Sequence, residues 1–162
     1  MRIIGIDPGT ATTGFGVIEV INGKAKFVDA GVITTPPGGP MSDRLVTLYD
    51  ELTQVVQEAK PDQAAVELLF FSSNVTTGIS VGQARGIVLL VLAQAGISVP
   101  GEYNPMQVKM GVTGYGGAKK PQVQEMVKMI LGLQAIPKPD DAADALAVAL
   151  THANQIKLNH VL

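Results

Sequence analysis

Apolar positions follow two rhythms along this chain. Residues 2–7 (Arg-Ile-Ile-Gly-Ile-Asp) form an almost unbroken apolar run, the pattern of a strand covered on both faces. The tight turn Pro8-Gly9-Thr10 follows, and residues 13–21 read as a second strand. Asn22-Gly23 is a strong hairpin signal, because both residues tolerate the positive φ of a two-residue turn. Lys24 to Thr34 is therefore predicted as the returning strand. Beyond the Gly/Pro-rich loop Pro36 to Pro40 the rhythm changes. Leu45, Leu48, Tyr49, Leu52, Val55 and Val56 recur at helical spacing, so 42–59 is predicted as an amphipathic helix. Pro61-Asp62 ends it and leads into a fourth strand, 63–67.

The second half is mostly helical. A loop of Phe and small polar residues (70–76) precedes a predicted helix from about 77 to 95, with Gly96 as its stop. Ile97 to Glu102 reads as a short fifth strand, 105–111 as a helical turn, and Gly111 to Ala118 as a glycine-dense loop. Helices over about 119–131 and 139–156 complete the chain. Three strands in an antiparallel meander, then helix, strand, helix, strand and helices, describe a layered α/β fold. No repeat, low-complexity segment or linker breaks it up, and 162 residues suit one domain with a real core.

Composition changes this picture in one respect. Hydrophobic residues make up 46% and charged residues 16%, which leaves little polar surface and predicts association through an apolar face. The helix at 77–95 is the candidate: Ile79, Val81 and the run Ile87 to Leu92 exceed what one sheet face covers. The longest apolar run, the seven residues Ile87 to Ala93, is far too short to span a bilayer. Met1-Arg2-Ile3-Ile4 lacks the layout of a signal peptide, and the absence of cysteine excludes disulfides and thiolate metal sites. A cytoplasmic protein is expected.

Charge is uneven. Residues 1–82 hold five Lys/Arg against nine Asp/Glu, whereas residues 83–162 hold seven against five. Between Arg85 and Lys120 a single acid, Glu102, stands among four cations, so one face can be basic although the net charge is −2.

The candidate chemistry lies in four carboxylates. Asp7 ends the first strand and Glu67 the fourth, while Asp141 and Asp144 open the alanine-rich helix Asp140-Asp141-Ala142-Ala143-Asp144-Ala145-Leu146. A carboxylate at the end of a buried strand is penalised by desolvation unless something compensates it. Several brought together need a cation, and hard oxygen ligands suit Mg²⁺ or Mn²⁺. Asp141 and Asp144 share a helix face at i and i+3. Asp140 is an extra neighbour that also serves to complement the helix dipole. The turn Asp7-Pro8-Gly9-Thr10 is ambiguous by itself, because actin-like kinases and chaperone ATPases begin with a similar phosphate-cradling turn.

Other segments decide between these readings. Glu67 is followed by Leu68-Leu69-Phe70-Phe71-Ser72-Ser73-Asn74, then Gly82-Gln83-Ala84-Arg85-Gly86, Gln107-Val108-Lys109, the glycine loop with Lys119-Lys120, Gln122-Val123, and Asp140 to Ala147. In this order the chain closely resembles the RuvC family of bacterial Holliday-junction resolvases, from about residue 2 to His152. The resemblance implies a ribonuclease-H-like fold, with a mixed five-stranded sheet of three antiparallel strands then two parallel ones, flanked by helices. It implies a homodimer formed through the helix at 77–95, a four-way DNA junction as substrate, and a branch-migration motor, RuvA-RuvB, as partner. It further implies two Mg²⁺ ions per active site, Mn²⁺ substituting, and cleavage that leaves 5′-phosphate and 3′-hydroxyl ends.

Carried over by position, the catalytic and metal-binding acids are Asp7, Glu67, Asp141 and Asp144. Lys109 and Lys120 match basic positions that contact DNA or the reacting centre, and Lys119 is their neighbour. Phe70 matches an aromatic that stacks on an unpaired base, a sequence-tolerant interaction; Phe71 is more readily a core residue. Arg85 is a candidate for a backbone phosphate or for a structural ion pair. His152 and His160 receive no metal role, and Met106, Met110, Met126 and Met129 read as gap-filling apolar residues. Two other classes stay in view: an actin-like ATPase, for which the chain is short, and a junction-binding module without catalysis.

Overall fold

A computed structural model describes residues 1–68 and 75–161, without the side chains of 75–77 and 158–161. Five strands form one sheet: β1 (Arg2–Asp7), β2 (Thr12–Ile21), β3 (Lys24–Thr34), β4 (Gln63–Glu67) and β5 (Gly101–Tyr103), in the order β3-β2-β1-β4-β5. β1, β2 and β3 are antiparallel, and β4 and β5 run parallel to β1. The helices are α1 (Met41–Ala59), α2 (Val75–Gln94), α3 (Pro105–Thr113), α4 (Lys120–Leu131) and α5 (Asp140–Val161). The expected sheet and its order of elements are present.

Alternation along the strands sends side chains to two cores. Ile3, Ile18 and Ala65 face α3, α4 and α5. Ile4, Ile6, Phe15, Val17, Ala64 and Val66 face α1 and α2. The N-terminal half of α5 is enclosed, by the sheet on one side and by α3 and α4 on the other; Ala142, Ala143 and the run from Ala145 to Thr151 are buried. A helix so enclosed must be apolar on its whole circumference. Small side chains let it approach closely: a β-carbon on Gly16 would stand 2.7 Å from the backbone nitrogen of Leu146, and one on Gly5 would stand 2.5 Å from that of Ala149. These glycines bring in a helix backbone.

Three boundaries depart from the sequence expectation. The fifth strand starts at Gly101 rather than Ile97, because residues 95–97 finish the preceding helix. Gly96 takes φ +89°, its N–H donates to Ala93 and that of Ile97 donates to Leu92, a Schellman closure. Pro100 then has no N–H to give a strand ladder. The helical turn expected at 105–111 is a nine-residue helix. It starts with a reciprocal capping box between Asn104 and Gln107 and has Pro105 in its first turn. Finally, α5 continues to Val161.

Met126 packs against the core as expected, but the other three methionines are a correction. Met106, Met110 and Met129 are 64%, 52% and 65% exposed, so they do not fill the core. The inward faces of their helices are taken by Val108 and Val112 on α3, and by Val123, Val127 and Leu131 on α4.

Candidate metal-binding active site

The register of the central strands builds the site. β1 and β4 are parallel, with Ile3 opposite Gln63 and Ile6 opposite Val66, so the next residues, Asp7 and Glu67, end neighbouring strands together. Both follow the strand alternation onto the face covered by α5. The carboxyl edge of parallel strands is where an α/β sheet presents its chemistry. The N-terminus of α5 meets this edge because Gly14, paired with Asp7 across β1 and β2, has no side chain to hold it off. Asp141 and Asp144, one turn apart on α5, therefore come down beside Asp7.

Carboxylate oxygens of Asp7, Asp141 and Asp144 all lie within 4.8 Å of one another. Glu67 joins them through a hydrogen bond to Asp7. Burial pushes Asp7 up to about 6, against the hydrogen bond from Glu67 that favours its charged form. Burial and the charge of Asp7 push Glu67 up to about 8. Asp7 and Glu67 thus hold a proton between them to higher pH than isolated carboxylates do. Burial also raises Asp144, opposed by a hydrogen bond from Lys120. Acids held together with raised pKa values are short of positive charge, and an all-oxygen donor set of this kind fits a hard divalent cation.

Lys120, in the first turn of α4, supplies one compensating charge. Its Nζ is 2.7 Å from Asp144 and 3.9 Å from Asp140, and the Asp144 hydrogen bond raises its pKa. Asp140 points elsewhere: half-exposed, it bonds Lys138 at 2.8 Å, and that contact holds its carboxyl below the usual range. Asp141, not Asp140, is the member of the cluster. A cleft of about 270 Å³ opens beside the acids, lined by Glu67, Pro105, Val108, Lys109, Lys120, Val123, Asp144 and Ala147.

The remaining candidates are distributed as follows. Lys109 lines the cleft. Lys119 is exposed at the start of α4, its backbone N–H donating to Gln122 at 2.7 Å. Arg85, on α2, is paired with Glu102 of β5, the structural ion pair that its sequence context allowed. Phe70 and Phe71 lie outside the described residues, as does the side chain of His160. His152 sits in a polar bridge, Nδ1 2.8 Å from the Tyr103 hydroxyl and Nε2 2.8 Å from Gln63 Oε1, away from the acids. Asn104, which sequence reasoning passed over, forms with Met106 and Gly116 a second cavity against Lys109. The exposed methionine beside a glycine loop was its one signal.

Fold and site together define a ribonuclease-H-like protein with a cluster of acids whose oxygen donors fit a metal ion. Residues 3–152 match the family model described as crossover junction endodeoxyribonuclease RuvC, and the chain belongs to that family. A crossover junction endodeoxyribonuclease RuvC of Chloroflexus aurantiacus is 58% identical over 153 residues, covering 94% of this chain and 93% of the relative. The solved structure of Thermus thermophilus RuvC matches with a TM-score of 0.90 at 38% identity, covering 98% of this chain and 97% of that one. T. thermophilus RuvC in complex with a Holliday junction substrate matches with a TM-score of 0.92, also at 38% identity, over 98% and 96% of the two chains.

Proposed function

We propose that this chain is a metal-dependent endonuclease that resolves Holliday junctions by paired symmetric nicks in recombination and DNA repair. The observation that carries the proposal is the convergence of Asp7, Glu67, Asp141 and Asp144, from opposite ends of the sequence, at one edge of the sheet. These four acids would hold two Mg²⁺ ions, with Mn²⁺ as a substitute. Such ions, when bound, activate water and neutralise charge on the phosphate during in-line displacement, leaving 5′-phosphate and 3′-hydroxyl ends.

The chain's own residues do the rest. Asp7 and Glu67, fixed on strands, give the ligand set a rigid half; Asp141 and Asp144, fixed on a helix packed over glycines, give the other. Lys120 and Lys109 line the cleft and neutralise DNA phosphates there. Lys119 adds charge at the exposed start of α4, and Arg85 contacts the DNA backbone if it leaves Glu102. Phe70, three residues after Glu67, stacks on a base exposed at the crossover.

Two copies act together through α2. Ala84, Val88, Val91 and Leu92 face the core, whereas Ile79, Gly82, Gly86, Leu90 and Ala93 form an exposed apolar stripe at helical spacing. A twofold axis along that stripe gives two sites for two like strands, matching the symmetry of a four-way junction. The whole chain, 1–162, works as a single nuclease domain in the cytoplasm alongside the RuvA-RuvB branch-migration motor. Among the described residues no helix is long and apolar enough to cross a membrane.

The test is cleavage of a synthetic mobile four-way junction, with duplex DNA as control, with and without Mg²⁺ or Mn²⁺. Paired nicks in like strands of the junction, dependent on the metal and absent from duplex, are expected. An intact junction at saturating protein and metal would overturn the proposal.

A further inference from the structure

Beside the acidic cleft lies a second cavity of about 340 Å³, walled by Asn104, Pro105, Met106, Lys109 and Gly116. Pro105 and Lys109 belong to both walls. Lys109 therefore stands on the ridge between a space that holds the acids and one that is mostly apolar. Among the described residues its ammonium has no ion-pair partner, unlike Lys120, Lys128 and Lys138. Met106 is 64% exposed and reaches over Gly116, where an added β-carbon would lie 2.8 Å from its Cγ.

A free cation on a ridge, an acidic centre on one side and an apolar slot on the other repeat the chemistry of a polynucleotide: phosphate, then sugar and base. We propose that this second cavity is a nucleotide subsite, which receives the deoxynucleotide adjoining the scissile phosphate. Its volume is at the small end of ligand pockets, roughly 300–1,000 Å³, and suits one nucleotide rather than a duplex. Lys109 binds the phosphate between the two cavities, and Met106 packs on the apolar face of the base. Asn104 contributes a side-chain NH₂ toward a base edge; its Oδ1 is already committed, accepting from the Gln107 N–H at 2.9 Å. Seating the neighbouring nucleotide holds the scissile phosphate in register with the acids, so the subsite acts on rate rather than on overall affinity.

This inference rests on the nuclease reading above, and its test separates the two. Junctions are made with an abasic site on the 5′ or the 3′ side of the scissile phosphate, one at a time. Nicking rates are then measured for the parent and for Met106→Ala, whose exposed position leaves the fold intact. On one side the abasic junction should be nicked about 10-fold more slowly by the parent, the scale of one pocket contact. Met106→Ala should lose most of that difference, since base and side chain are partners and their deletions do not add. Gly116→Ala, which narrows the slot, should slow the intact junction more than the abasic one. Additive effects on both sides would overturn the subsite while the nuclease reading stands. A parent that nicks no junction would overturn both.

Discussion

Gly14 lies so close to the first turn of α5 that a β-carbon there would stand 2.7 Å from the carbonyl carbon of Asp141. The same glycine is the antiparallel partner of Asp7. One missing side chain thus sets the distance between two acids that are 134 positions apart in sequence.

Gly14→Ala should consequently damage stability and catalysis together. The helix has to lift or the strand to bend, an overpacking cost of about 1–3 kcal/mol. Asp141 moves with the helix, so nicking should fall by more than the loss of folded protein explains. Denaturant midpoints and nicking rates on the same samples check this; an unchanged rate per folded molecule would mean that the cluster tolerates displacement.

Asp7→Asn should keep junction binding and lose nicking by at least about 1,000-fold, the scale of removing a group that supports charge in the reacting state. The amide preserves size and removes the charge that the cation needs. Gel shift and cleavage on one junction measure both quantities, and undiminished cleavage would take Asp7 out of the site.

Acidity gives a signed prediction. Burial raises Asp7 to about 6 and Glu67 to about 8, from ordinary values of 3.8 and 4.5. Between these limits the folded, metal-free protein holds protons that the unfolded chain has released, so stability is lost as pH rises through the folded values. In chelator, the melting temperature should fall from pH 5 to pH 8.5, and the Asp7→Asn, Glu67→Gln double variant should flatten that slope. With a fixed Mg²⁺ concentration the stabilisation by metal should grow over the same range, since the cation competes with the protons. A metal effect independent of pH would argue against these ligands.

Lys120→Ala removes the 2.7 Å contact to Asp144 and a cation from the cleft. Nicking should drop by about 100-fold, as for loss of one positioned donor at a reacting phosphate. Junction affinity should lose about one unit of slope in its logarithmic salt dependence. Titration of binding against salt concentration reads the second effect separately from the first.

The Arg85–Glu102 pair makes opposite predictions for its two partners. Glu102→Ala frees the guanidinium and should raise junction affinity, whereas Arg85→Ala should lower it. The pair is partly exposed, with side chains 26% and 38% accessible, so either change should cost about 1 kcal/mol of stability or less. Equal affinities for both variants would confine Arg85 to a structural role.

Much of this protein is written locally. The hairpin at Asn22-Gly23, the amphipathic α1 and the strand ends at Asp7 and Glu67 follow from turn chemistry and from periods of two and 3.6 residues, which depend on near neighbours alone. The order of motifs was enough to single out the four acids and the family. Local pattern fails where a distant element decides what covers a face. Met106, Met110 and Met129 have core chemistry but point outward, because the valines and Leu131 on their helices meet α5 and the sheet first. Arg85 could be free or paired in the sequence, and only the approach of β5 to α2 supplied Glu102. Gly14 read as part of an ordinary strand until the helix from the far end of the chain was laid across it. Backbone preferences act over a few residues, whereas steric exclusion and charge compensation act between whichever segments the fold brings within a few ångströms.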